Sequence, residues 1–261
     1  MLTDGRELVA RVARDSDTAL SALTEKFGQM VFDYCAAVLA DPELAGDAAA
    51  GTLMAATQRI SELSDPQELD AWLCSLARGE CLLLLQTTPE RTRNGSDAGS
   101  AVAESSADVA LVRSALASLS AGDRGVLTLA RGSGFAVAEI AAIMGVTQAN
   151  ARARLDRANE NLSQAVETQL LQSDPPGSCT GLDALLADAV GAPPAGMRRL
   201  VTAHIADCPS CEQRVADVRW LYADAESRPA AFGSGVDAVA AIQSRLSGAV
   251  QPTPQRERRR A

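Results

Sequence analysis

Cys208 follows the chain's only histidine, His204, at i+4, and Cys211 follows Cys208 at i+3. The first spacing puts an imidazole and a thiol on one helix face. The Cys-Pro-Ser-Cys run then makes a knuckle that can turn two thiolates toward one ion. Cys179 precedes His204 with 24 residues between them and can arrive from an earlier helix. Together Cys179, His204, Cys208 and Cys211 make a Cys3His set. That set suits one tetrahedral Zn2+, structural or redox-sensitive, with no position open to substrate. Asp183 and Asp188 are fallback ligands. The competing readings are a Cys208–Cys211 redox pair and unconnected free thiols. Few bulky apolar residues surround these four, so ligation would supply much of the local folding free energy.

A second group of residues could contact a polyanion. In residues 137–162, Ile140, Ala141 and Met144 form the inner face of a short helix. Gly145 permits a left-handed turn, Val146 packs inward, and Thr147 can cap the helix that follows. Ala151, Leu155, Ala158 and Leu162 make that helix's inner stripe. Small residues where two helices must cross closely are what a helix-turn-helix requires. The outer face of the second helix carries Gln148, Asn150, Arg152, Arg154 and Arg157, side chains suited to phosphates and base edges in a major groove. The alternative is an ordinary helical hairpin with a solvated face, since Asp156 and Glu160 offset two of the three arginines in residues 148–162.

Cys35, Cys74 and Cys81 read differently. They sit inside apolar stretches, with Cys74 and Cys81 seven residues apart, as small core residues would.

The elements that must position these groups are helical. Of 261 residues, 47% are apolar, 22% charged and only 3% aromatic, which argues against an all-β core and for short packed helices. Leu20, Leu23, Phe27, Val31, Tyr34 and Val38 make an amphipathic stripe. Asp41-Pro42 ends it and starts a second helix that runs to about Leu63. Ser64-Asp65-Pro66 starts a third, to about Leu85. The expected architecture is all-α with six parts: a helical domain (1–86), a flexible linker (87–108), the helix-turn-helix domain (109–172), a linker (173–178), a zinc-binding domain (179–226) and a mostly disordered tail (227–261). The tail holds one short amphipathic stretch, Val236 to Leu246.

The net charge of −9 excludes nucleic-acid binding by bulk positive charge. No apolar run is long enough to span a bilayer, and the N-terminal residues alternate charge with apolar groups, so a cytoplasmic protein with no membrane partner is expected. No enzyme is expected: there is no phosphate loop, nucleophile elbow or open metal triad.

Taken in order, the pieces resemble an extracytoplasmic-function sigma factor, a small bacterial transcription initiation subunit. The Phe27 to Leu39 helix, Asp47 in ELAGDAAAGTLMAA and AWLCSLAR at Ala71 to Arg78 are similar to sigma region two. Leu116 to Leu162 is similar to sigma region four. The His-x3-Cys-x2-Cys run resembles the zinc-binding fold of anti-sigma factors. The resemblance implies that region four reads an upstream promoter element through Gln148, Asn150, Arg152, Arg154 and Arg157. It also implies that region two meets core RNA polymerase through Asp47 and Thr52, and that the zinc domain gates both.

The region-two part is degenerate. Ala48-Ala49-Ala50-Gly51 stands where the family carries polar and acidic residues, and Asp70 and Ser75 stand where it carries arginines. Residues 1–88 hold six basic residues against fourteen acidic ones. The alternative function is therefore a sigma or anti-sigma-type regulator that binds another sigma factor or a sensor protein, without promoter recognition.

Overall fold

The computed structural model describes residues 16–87, 107–172, 179–187, 193–216 and 232–249. The linker expected at 87–108 lies almost wholly outside them. So do residues 173–178 and the basic run Arg256 to Arg260. All regular structure among the described residues is helical.

The first bundle has three helices: α1 (Ser16–Leu39), α2 (Pro42–Arg59) and α3 (Leu69–Thr87). Local chemistry sets their ends. The Asp41 carboxylate accepts from the backbone N–H groups of Glu43 and Leu44 at 2.9 and 3.0 Å, and Pro42 occupies the first turn. The Asp65 carboxylate accepts from Gln67 N–H at 2.9 Å, starting the short turn Pro66–Glu68 that leads into α3. Leu23, Val31, Phe32, Leu53 and Leu73 are fully buried between the three helices, with Cys35, Cys74 and Cys81 beside them as core residues.

The second bundle holds α4 (Ala107–Ala117), α5 (Ala121–Leu127), a widened turn at Thr128–Gly132, α6 (Val137–Met144) and α7 (Gln148–Gln172). Ser120 Oγ accepts from Asp123 N–H, and the Glu139 carboxylate reaches back to Ala136 N–H at 2.7 Å. Gly145 ends α6 at φ 64°, the left-handed conformation that the sequence predicts there.

The two bundles share one apolar core: α1 packs on α5, and α3 packs on α6. Two residues of α5 make the seam. The guanidinium of Arg124 donates to the carbonyls of Ala37 and Val38 at the end of α1, and also to Leu119 O at 2.6 Å. Those α1 carbonyls have no later turn to bond, so the cation completes the helix end. Gly125 lets the helices touch, because a Cβ there would lie 3.1 Å from Val38 Cγ2.

A third, smaller unit holds α8 (Thr180–Leu186), α9 (Ala195–Asp207) and a helical segment at 209–216. It has its own core of Leu171, Leu182, Val201, Ile205, Cys211 and Val215, and α9 lies along α7. Within the stretch expected to be mostly disordered, residues 232–249 fold back onto the first bundle. Their helix α10 (Ala238–Ala249) packs on α1 and α2. No described helix is long and apolar enough to cross a membrane.

Candidate metal centre and nucleic-acid interface

Three helix ends converge on the four candidate ligands. Cys179 is the N-cap of α8, His204 sits in the last turn of α9, Cys208 ends that helix, and Cys211 lies one turn into the segment after it. Helix ends are where single side chains can be aimed without breaking an internal hydrogen-bond ladder. The ligand atoms all lie within 4.8 Å of one another. His204 Nε2 is 3.3 Å from Cys179 Sγ and 3.4 Å from Cys211 Sγ, and the Cys179 and Cys208 sulfurs are 3.9 Å apart.

These distances test the donor set against an ion. Zn–S bonds of about 2.3 Å and a Zn–N bond of about 2.05 Å, at tetrahedral angles, require S···S edges of ~3.8 Å and S···N edges of ~3.6 Å. The three measured edges agree within about 0.3 Å, so the residues fit a tetrahedral metal. A Cys208–Cys211 redox pair explains neither the imidazole nor Cys179 at the same point. Asp183 is not in the cluster, and Asp188 lies outside the described residues.

The surroundings favour the thiolate at two of the three cysteines. The Leu182 N–H draws the Cys179 thiol below its ordinary range, and the Cys211 N–H does the same for Cys208. Burial pushes the Cys211 thiol up to about 12, so a cation is needed to ionise it at neutral pH. Arg214 Nη1 points at Cys211 Sγ from 3.8 Å. Gly181 completes the cradle: a Cβ there would lie 2.9 Å from His204 Cε1. The four residues singled out by spacing are the ones brought together here, whereas spacing missed this glycine, whose role depends on how α8 crosses α9.

The helix-turn-helix also assembles. Thr147 Oγ1 accepts from Asn150 N–H at 3.3 Å, capping α7. Ala151, Ala158 and Leu162 are buried, and Leu155 is half-buried. Gln148, Asn150, Arg152, Arg154 and Arg157 are all exposed. Arg154 differs from the other four in that it borders a cleft between the two bundles.

The two residues expected to meet polymerase fare differently. Asp47 is exposed and forms an ion pair at 3.3 Å with Arg245 of α10. Thr52 corrects the expectation of a surface contact: it is fully buried, and its hydroxyl donates to Ala48 O at 2.7 Å. The small residues Ala48 to Gly51 bring α2 so close to its neighbours that position 52 faces inward. Further contacts from residues 232–249 reach both bundles. Ser234 N–H and Oγ–H donate to Asp33 Oδ1 at 2.8 and 2.5 Å, Ile242 lies against Gly28, and Phe232 is buried beneath the Arg131 guanidinium.

Compared with known families, residues 110–162 match the one described as "Sigma-70, region 4". This is a family of non-enzymatic transcription regulators, and the match supports a sigma-factor-like DNA-binding role in transcription initiation. No curated protein and no solved structure matches the chain.

Proposed function

We propose that the chain is a sigma factor-like regulator of transcription initiation whose fused C-terminal part restrains it. The carrying observation is that the region-four match coincides with a helix-turn-helix whose cationic face is open to solvent. In this reading Gln148, Asn150, Arg152, Arg154 and Arg157 enter the major groove of promoter DNA. The arginines supply phosphate contacts and bidentate base contacts. The bundle of residues 16–87 meets core RNA polymerase through the surface around Asp47.

The restraint has two parts. The unit of α8 and α9 lies on α7, and Arg198 of α9 reaches Ser118 of the second bundle. The strap of residues 232–249 covers the side of the first bundle that carries Asp47. Both belong to the same chain, so weak contacts act at high effective concentration. One Zn2+ held by Cys179, His204, Cys208 and Cys211 would fold the α8 and α9 unit. Metal bound there is a cross-link between helix ends, and this chain's own residues do the rest.

The test compares the full chain with the variant Ile242→Asp, Arg245→Glu. The Arg245–Asp47 pair is exposed and worth about 0–1 kcal/mol, so reversing one charge leaves the first bundle folded. A buried carboxylate at position 242 expels α10. Core polymerase pull-down should rise in the variant, and run-off transcription from promoter fragments should appear or increase. No polymerase capture by either protein would reject the reading.

The strong acidity of the first bundle favours a second reading, in which the chain regulates another sigma factor or a sensor protein through protein contacts alone. A DNA affinity that barely changes with salt would favour it, because phosphate contacts give a steep salt slope.

A further inference from the structure

Where α1, α3 and α5 meet, beside the C-terminal end of α6, the seam between the bundles leaves a cleft of about 140 Å3. Its walls are mostly apolar, and Leu82, Leu85 and Met144 are among them. Three polar residues line it from three different helices: Tyr34 of α1, Arg78 of α3 and Arg154 of α7. None of the three makes a hydrogen bond or carboxylate pair among the described residues. Tyr34 is only 4% exposed as a residue, yet its hydroxyl is not among the buried unpartnered atoms, so the phenol oxygen is open to solvent at the cleft, as are the half-exposed Arg78 and the exposed Arg154. Two arginines left unpaired at one cleft, in a chain of net charge −9, leave a local excess of positive charge where the protein has acids to spare.

We propose that this cleft binds a small amphipathic carboxylate, with its head group between Arg78, Arg154 and the Tyr34 hydroxyl and its hydrocarbon tail along Leu82, Leu85 and Met144. The head-group chemistry follows from the donors. Burial pushes the Tyr34 phenol up, so it stays protonated and can only donate usefully to an anion. A guanidinium presents a planar fork that matches a carboxylate. The tail length follows from the volume. A cleft of about 140 Å3 takes a tail of medium length, for which octanoate is the probe. A ligand of that size in a half-open cleft should bind with Kd of roughly 10 µM to 1 mM. The proposal goes beyond the DNA-binding reading; the two share Arg154, whereas Tyr34 and Arg78 belong to the cleft alone, so variants at those two positions test it separately.

Isothermal titration of the full chain with octanoate tests it, with octan-1-ol and inorganic phosphate as the tail-only and head-only arms. Octanoate should bind at one saturable site, and both controls at least about tenfold more weakly. Tyr34→Phe and Arg78→Gln should each weaken octanoate by about tenfold, the effect of losing one hydrogen bond to a charge. Tyr34→Phe removes a hydroxyl that bonds no other described residue and keeps the ring, so its melting temperature without ligand should not fall. Leu82→Trp, at a position already 40% exposed, should block the tail space without disturbing the core. Absence of saturable binding up to 10 mM, equal affinity for octan-1-ol, or unchanged affinity in all three variants would each overturn the proposal.

Discussion

Gly181→Ala is the most informative single change at the candidate metal centre, because two effects of opposite sign compete there. Gly181 lies in the first turn of α8, and replacing a helical glycine by alanine ordinarily stabilises by about 0.5–1 kcal/mol. Against this, the added Cβ would stand 2.9 Å from His204 Cε1 and 3.4 Å from Nδ1. Non-bonded carbons settle at about 3.5–4.0 Å, so the ring must retreat by at least ~0.6 Å. Metal–ligand distances tolerate only about ±0.2 Å. The displacement therefore reaches Nε2, on the cluster side of the ring, and weakens the bond it makes. Disturbing a ligand's support in this way lowers metal affinity by roughly 10–100-fold, or about 1.4–2.7 kcal/mol, which exceeds the helix gain. Competition between the metal-free chain and a chromophoric zinc chelator measures it. Gly196→Ala is the control, since nothing lies within 4 Å of a Cβ at that position in α9. A Gly181→Ala chain that binds zinc within twofold of the parent would refute the packing argument. Weak zinc binding by the parent itself would refute the metal centre.

Arg124→Ala should destabilise the joined bundles by about 2–4 kcal/mol in denaturant melts. It removes charge-assisted bonds to three carbonyls. Arg124→Lys should recover less than half of the loss, because one ammonium cannot span the same fork. Stability should fall as pH rises above about 9. Burial raises the Cys74 thiol to about 12, and the hydrogen bond with Cys81, with burial adding to it, raises the Cys35 thiol well above its ordinary value. The folded state therefore holds protons that the unfolded chain releases first, so stability is complete below the unfolded pKa and is lost as pH climbs. The slope is about −1.4 kcal/mol per pH unit for each such group. Cys74→Ala should flatten that slope between pH 9 and 11 in denaturation curves. Arg157→Ala should reduce the slope of log K against log salt by about one in gel-shift titrations, if this arginine holds a phosphate.

Much of the chain can be read from local pattern. The stripe from Leu20 to Val38, the Asp41-Pro42 start of α2, the left-handed Gly145 and the Thr147 cap all depend on neighbours within about four residues, and each forms where the pattern puts it. The same holds for three of the four clustered Cys and His side chains, since His204, Cys208 and Cys211 lie within eight consecutive residues. The first of these chemistries is a spacing rule and the second is a coordination rule, and neither needs a fold to be stated.

Tertiary structure alone decided where faces meet. Nothing local marks Arg124 as the cap of a helix that ended 85 residues earlier, or Ser234 as a partner for Asp33, 201 residues away. Nor does anything local show that Asp47 turns out to meet Arg245, 198 residues later. The amphipathic stretch at Val236 to Leu246 announces an apolar face without saying what covers it. Such contacts select among many surfaces of similar composition through shape and close approach, as at Gly125 and Gly181. Periodicity reports which side of a helix is buried, whereas the partner of that side is set only when all the helices compete for the same core.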